Sequence, residues 1–164
     1  MPVSARNYFG LLILGLGTLV GPLDSSVNIA FPFITGAFGV PLADIRWVIV
    51  SYVLTYCSLM LVFGKLGDLF GHKRIFTAGL SVSLVSFLLC AVATQFEWLL
   101  AFRVLQGVGA ALVLSCGPAI AISLFPEEYR SRVIGLYLMM FSIGGVLGPS
   151  VGGLLVAVWD WPAV

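Results

Sequence analysis

Apolar residues run almost unbroken through five stretches of the chain, at about 8–31, 47–63, 75–93, 99–125 and 133–159, and most charged residues fall between them. Each stretch has at least about the 17 residues that a transmembrane helix needs. None alternates apolar and polar positions between short turns, as a lipid-embedded barrel strand does. The pattern predicts an all-α, polytopic transmembrane helical bundle of five spans. The opening residues contain Arg6 and lead straight into an apolar run, as in a signal peptide. That run is long, carries Asp24 and Asn28, and lacks a small-x-small site after a short core, so a retained first span is expected.

Composition strengthens this reading. The 164 residues are 60% apolar and 9% charged, with a mean hydropathy of +1.13. A soluble domain carries about 25% charged residues. So few charges cannot clothe a surface in water, which excludes a typical soluble enzyme, a disordered chain and a disulfide scaffold. The expected surrounding is the lipid bilayer. Nucleic acid is not an expected partner, because the basic residues are few and scattered. Arg6, Lys65, Lys73, Arg74, Arg130 and Arg132 fall on one side of the spans and Arg46 on the other. That asymmetry predicts a multi-pass protein of the cytoplasmic (inner) membrane with a cytoplasmic amino terminus. The fifth span then ends outside, near Trp159 and Trp161, whose indoles suit an interfacial belt. Cys57, Cys90 and Cys116 lie inside apolar runs with no paired spacing, and read as small buried or lipid-facing residues without metal or disulfide. The single histidine, His72, reads as a solvated loop residue.

Four places break the apolar rule. In the first span, Asp24 and Asn28 are four residues apart and share a helix face. A carboxylate there is costly and by default faces a cavity or the bundle interior. It can gain and lose a proton, which makes Asp24 a candidate proton acceptor, although a structural cap between Pro22 and Pro32 is the alternative. The second place is 64–74, read as a loop, where Gly64, Gly67 and Gly71 permit tight turning and Asp68 stands among Lys65, His72, Lys73 and Arg74. The third is Arg103, which stays charged and needs a counter-charge or carbonyls unless it snorkels to the outer surface. Arg103 lies roughly 8 Å, and Asp24 roughly 11 Å, from the outer ends of their spans at 1.5 Å per residue. They are expected to face a common cavity and to interact. The fourth is the series Gly135, Gly144, Gly145, Gly148, Pro149, Gly152 and Gly153 in the fifth span. Repeats every four residues make a smooth face for another helix, and Pro149 can bend its own. The Gly-x-Gly at 107–109 sits in an apolar span and reads as packing, not nucleotide binding.

Together these features resemble the major facilitator superfamily, and within it the drug:proton antiporter branch with 14 spans. The segment 64–74 matches the superfamily signature Gly-x-Leu-(small)-Asp-x-x-Gly-(basic)-(basic)-(basic), with His72 in the first basic place. The segment from Arg103 matches the fourth-span pattern Arg-x-x-Gln-Gly-x-Gly-(small), and the fifth span matches the antiporter signature from Gly135 to Gly152-Gly153. The segment 23–32 resembles the first-span signature of the 14-span branch, and Pro126 with Arg130 resembles the loop after the fourth span. The resemblance implies roles. Arg103 would serve proton coupling, and Asp24, with Asn28 and Gln106, would line the transport path. Gly64, Gly67, Asp68, Gly71, Lys73, Arg74 and Arg130 would form a cytoplasmic gate. Gly135, Gly144, Gly148, Pro149, Gly152 and Gly153 would shape the antiport contact between halves.

The implied activity is proton-driven efflux of a small molecule by alternating access, with the proton gradient as driving force and no cofactor. Lipophilic compounds are among the candidate substrates, although twelve phenylalanines in a membrane protein are no evidence for them. The chain corresponds to five spans of an incomplete six-helix amino-terminal half, so an amino-terminal fragment, inactive without its carboxy-terminal spans, is expected. A metabolite carrier of the same superfamily and a non-transporting five-span subunit are the alternatives. No nucleophile–base pair or phosphate loop supports an enzyme.

Overall fold

The computed structural model describes residues 5–159. The first span comprises α1 (Ala5–Thr18), α2 (Val20–Leu23), a single 3-10 turn (Asp24–Ser26) and α3 (Val27–Phe38). The other four spans are α4 (Leu42–Phe70), α5 (His72–Ala91), α6 (Phe96–Ser123) and α7 (Arg130–Trp159). Among the described residues, five helical stretches are long and apolar enough to cross a membrane, counting Ala5–Phe38 as one.

Proline chemistry explains the broken first span. Pro22 has no N–H to give to the Thr18 carbonyl. There the helix loosens, and the Leu19 amide is shared between the Gly15 and Leu16 carbonyls at 3.2 and 3.3 Å. Thr18 Oγ1 turns back to donate to the Gly15 carbonyl at 2.8 Å. Pro32, by contrast, does not end the span. The chain stays helical through Phe38 and stops at Gly39, whose φ of 64° is left-handed.

The segment 64–74 is not the loop that its charges and glycines suggested. Gly64 to Phe70 form the last turns of α4, and only Gly71, at φ 95°, breaks the helix before His72 opens α5. Charge marks where a chain meets water, whereas a helix ends where its hydrogen bonding ends. The three glycines therefore differ. A Cβ on Gly64 would find only Ser115 Cβ, at 4.0 Å, and one on Gly67 would press on Cys116 Sγ at 2.8 Å. Gly71→Ala is expected to cost about 1–3 kcal/mol, because alanine resists positive φ, while Gly64→Ala is tolerated. Thermal unfolding of the full-length protein in detergent checks the ranking, and equal losses for the two would contradict it.

Helix α6 is the centre of the bundle and packs along both α4 and α5. Its buried residues include Leu99, Arg103, Gln106, Ala110, Val113, Gly117 and Ile120, at alternating steps of four and three. That is the stripe a helix presents to close neighbours. Glycine sets the spacing: a Cβ on Gly107 would lie 2.7 Å from the Tyr52 carbonyl, and one on Gly109 would lie 2.8 Å from the Ser83 amide. Two apolar clusters result. One joins Leu14, Phe76, Val113, Cys116 and Tyr137. The other joins Ala30, Ile34, Val48, Leu99 and Val156. In sequence, Asp24 lies between Leu14 and Ala30, and Arg103 and Gln106 lie between Leu99 and Val113. The charged residues thus form a polar layer between two oily ones.

Candidate functional site

Three elements build the polar layer. The 3-10 turn supplies Asp24, α6 supplies Arg103 and Gln106, and α4 supplies Tyr52 and the Val48 carbonyl. The residues are buried, with Asp24 9%, Arg103 3% and Gln106 2% exposed, so their polar atoms must satisfy one another. They do. Arg103 Nη2 donates to Asp24 Oδ2 at 2.7 Å, and Nη1 donates to Asp24 Oδ1. Arg103 Nη1 also donates to Gln106 Oε1 at 2.8 Å, and Nε donates to the Val48 carbonyl at 3.0 Å. Gln106 Nε2 returns a bond to Asp24 Oδ1 at 2.8 Å. The guanidinium also lies over the Tyr52 ring, 4.7 Å from its centroid. A two-pronged pair of this kind fixes orientation as well as charge. Arg103 therefore does not snorkel outward, and Asp24 is no mere helix cap.

One side of the cluster opens into a cavity of about 270 Å³ whose lining includes Asp24, Asn28, Tyr52, Tyr56, Arg103 and Phe141. Asn28 shares the Asp24 face of the first span and is exposed on this wall. Tyr52, Tyr56, Phe141 and the Val48 carbonyl escape the sequence reading. A spacing of four from Val48 to Tyr52 to Tyr56 on α4 was the available signal for the two tyrosines.

Behind Asp24 lies α7. Its glycine face packs on the bent part of the first span: a Cβ on Gly144 would lie 2.7 Å from Leu19 Cδ2, on Gly148 2.5 Å from Ser25 Oγ, and on Gly152 2.5 Å from Ser26 Cβ. Gly145 and Gly153 are less crowded, with nearest atoms at 3.9 and 3.8 Å, and Gly135 has none within 4 Å. Helix α7 runs on through Pro149.

The charged residues at the other end of the bundle are not drawn into one network. His72 Nε2 lies 3.4 Å from Asp68 Oδ1, and Arg130 pairs at 2.8 Å with Glu127 in its own turn, not with Asp68. Lys73 and Arg74 are exposed and border a second cavity of about 420 Å³ with Ala119 and Ser123. Cys57 is exposed, Cys90 is half-buried 4.0 Å from Gln106 Oε1, and Cys116 is buried. The expected belt residue Trp161, and the side chain of Trp159, lie outside the described residues.

Long apolar helices around a paired charge define a polytopic helical membrane protein. Comparison with known proteins is more specific: the sequence model of the Major Facilitator Superfamily matches residues 11–164, and the chain belongs to that family. It is 33% identical over 97% of its length to the riboflavin transporter RibZ of Clostridioides difficile, covering 35% of that protein. It is 37% identical over 98% of its length to the methylenomycin A resistance protein of Bacillus subtilis, again covering 35%. Among solved structures it resembles a bacterial homolog of the human lysosomal transporter Spinster, in an inward-facing and unoccupied conformation. That match has a TM-score of 0.84 and 25% identity, over 96% of this chain and 33% of the other. The chain thus spans about a third of the length of the relatives it matches.

Proposed function

We propose that this chain is the amino-terminal part of a proton-coupled exporter of small molecules that works by alternating access. The observation that carries the reading is the buried Asp24–Arg103–Gln106 cluster on the wall of a cavity. Arginine keeps its charge, so a proton arriving at this site goes to Asp24. It would neutralise the carboxylate and weaken both guanidinium contacts. The 3-10 turn that carries Asp24 lies against Gly148 and Gly152, so a change at the acid is passed directly to α7. The remaining spans of the parent would complete the central site, and Asp68 with its neighbours would serve as the cytoplasmic latch. The excess of basic residues at one set of helix ends supports a cytoplasmic amino terminus in the inner membrane. The similarity to a riboflavin transporter favours a second reading, a metabolite carrier of the same design.

The test is to express the full-length gene in an efflux-deficient host and compare drug and proton fluxes for the parent, Asp24→Asn and Arg103→Ala. Both substitutions are expected to lower proton-coupled export at least tenfold. Coupling that is unchanged in both sinks the assignment.

A further inference from the structure

The charges on the cavity wall beside the first span are already engaged with one another. Thirteen residues line this cavity, and Asp24 and Arg103 are the charged ones among them. Each carboxylate oxygen of Asp24 accepts from the guanidinium, and Oδ1 accepts from Gln106 as well. The wall therefore sums to zero formal charge, with no carboxylate oxygen left without a donor. A cation entering here would shed water and find no free counter-charge, with only aromatic faces to offset that loss.

What the wall still offers is of another kind. Asn28 lines the same cavity, one helical turn beyond Asp24, and its side chain makes no hydrogen bond to any other described residue. An amide has two donors and an accepting oxygen, and so can read a neutral group that both gives and takes a hydrogen bond. Around the amide stand aromatic rings, Tyr52, Tyr56 and Phe141, with Tyr52 and Tyr56 at a centroid distance of 5.4 Å. Rings beside an amide suit a flat, uncharged solute that stacks and hydrogen-bonds.

From this we infer that the chain's share of the transport site selects uncharged, hydrogen-bonding aromatic solutes over lipophilic cations, and that Asn28 sets the preference. The inference rests on the transport reading above and adds the charge class of the cargo.

The experiment uses the full-length transporter in proteoliposomes under an imposed proton gradient. Chloramphenicol and riboflavin serve as uncharged probes, and tetraphenylphosphonium and ethidium as cations. The parent is expected to move at least one uncharged probe tenfold faster than either cation. Asn28→Asp places an unpaired carboxylate on the wall and is expected to reverse that ratio. Asn28→Leu is expected to lose the uncharged probe without gaining the cations, and because Asn28 is exposed, neither change disturbs the buried core. Faster transport of the cations by the parent, or a ratio unmoved by Asn28→Asp, overturns this inference and leaves the transporter reading standing. Failure to move any of the four probes, with proton leak equal to that of empty liposomes, overturns both.

Discussion

Arg103→Leu is expected to destabilise the full-length protein by about 3–5 kcal/mol, the loss that follows when one partner of a buried ion pair is removed. It leaves the Asp24 carboxylate with Gln106 Nε2 as its remaining side-chain donor. The converse change, Asp24→Leu, should cost less. Arg103 would keep the Val48 carbonyl, Gln106 Oε1 and the face of Tyr52. Replacing both by leucine should cost less than the sum of the single changes, because the double variant leaves no orphaned charge. The measurement is the folded fraction after stepwise heating in detergent. Simple additivity, or a larger loss for Asp24→Leu than for Arg103→Leu, would show that the pair does not hold the polar layer as described.

Gly152→Ala should give the second large effect, this time mostly on transport. The added methyl carbon would sit 2.5 Å from Ser26 Cβ and 3.0 Å from Ser26 Cα. Backbone cannot step aside as a flexible side chain can, so α7 or the 3-10 turn must shift. Overpacking of this kind costs about 1–3 kcal/mol. Ser26 is two residues from Asp24, so the shift would also displace the acid from Arg103, and export is expected to fall severalfold or more. Gly145→Ala, on the same helix with its nearest atom at 3.9 Å, is the control and should behave as the parent. The measurement is export rate normalised to folded protein. Equal rates for the two variants would falsify the view that contact with the turn, and not glycine content, matters in α7.

The charged partners were legible because the bilayer makes buried charge expensive. A lone Asp24 and a lone Arg103 in apolar runs each needed an answer, and similar depth suggested they answered each other. Helix ends were harder to read. Hydropathy reports where lipid gives way to water, so Lys65 and Asp68 looked like a loop although α4 continues to Phe70. Carbonyl partners leave no trace in side-chain chemistry, which is why Val48 was invisible. The glycines of α7 were legible as a face, but their unequal crowding depends on where the first span bends. That bend follows from Pro22, which has no N–H for the Thr18 carbonyl, a local rule with a distant effect.

The Asp24–Arg103 pair joins residues 79 positions apart. During synthesis at roughly 5–20 residues per second, the acid waits about 4–16 seconds for its arginine to be made. Throughout that interval the first span must be held with a bare carboxyl group in or beside the membrane. Until Arg103 is made, the nascent first, second and third spans lack the partner that engages Asp24 in the folded chain. Ribosome pausing between Asp24 and Arg103 would lengthen exposure to quality-control proteases, so the tempo of translation becomes a determinant of yield for this fold.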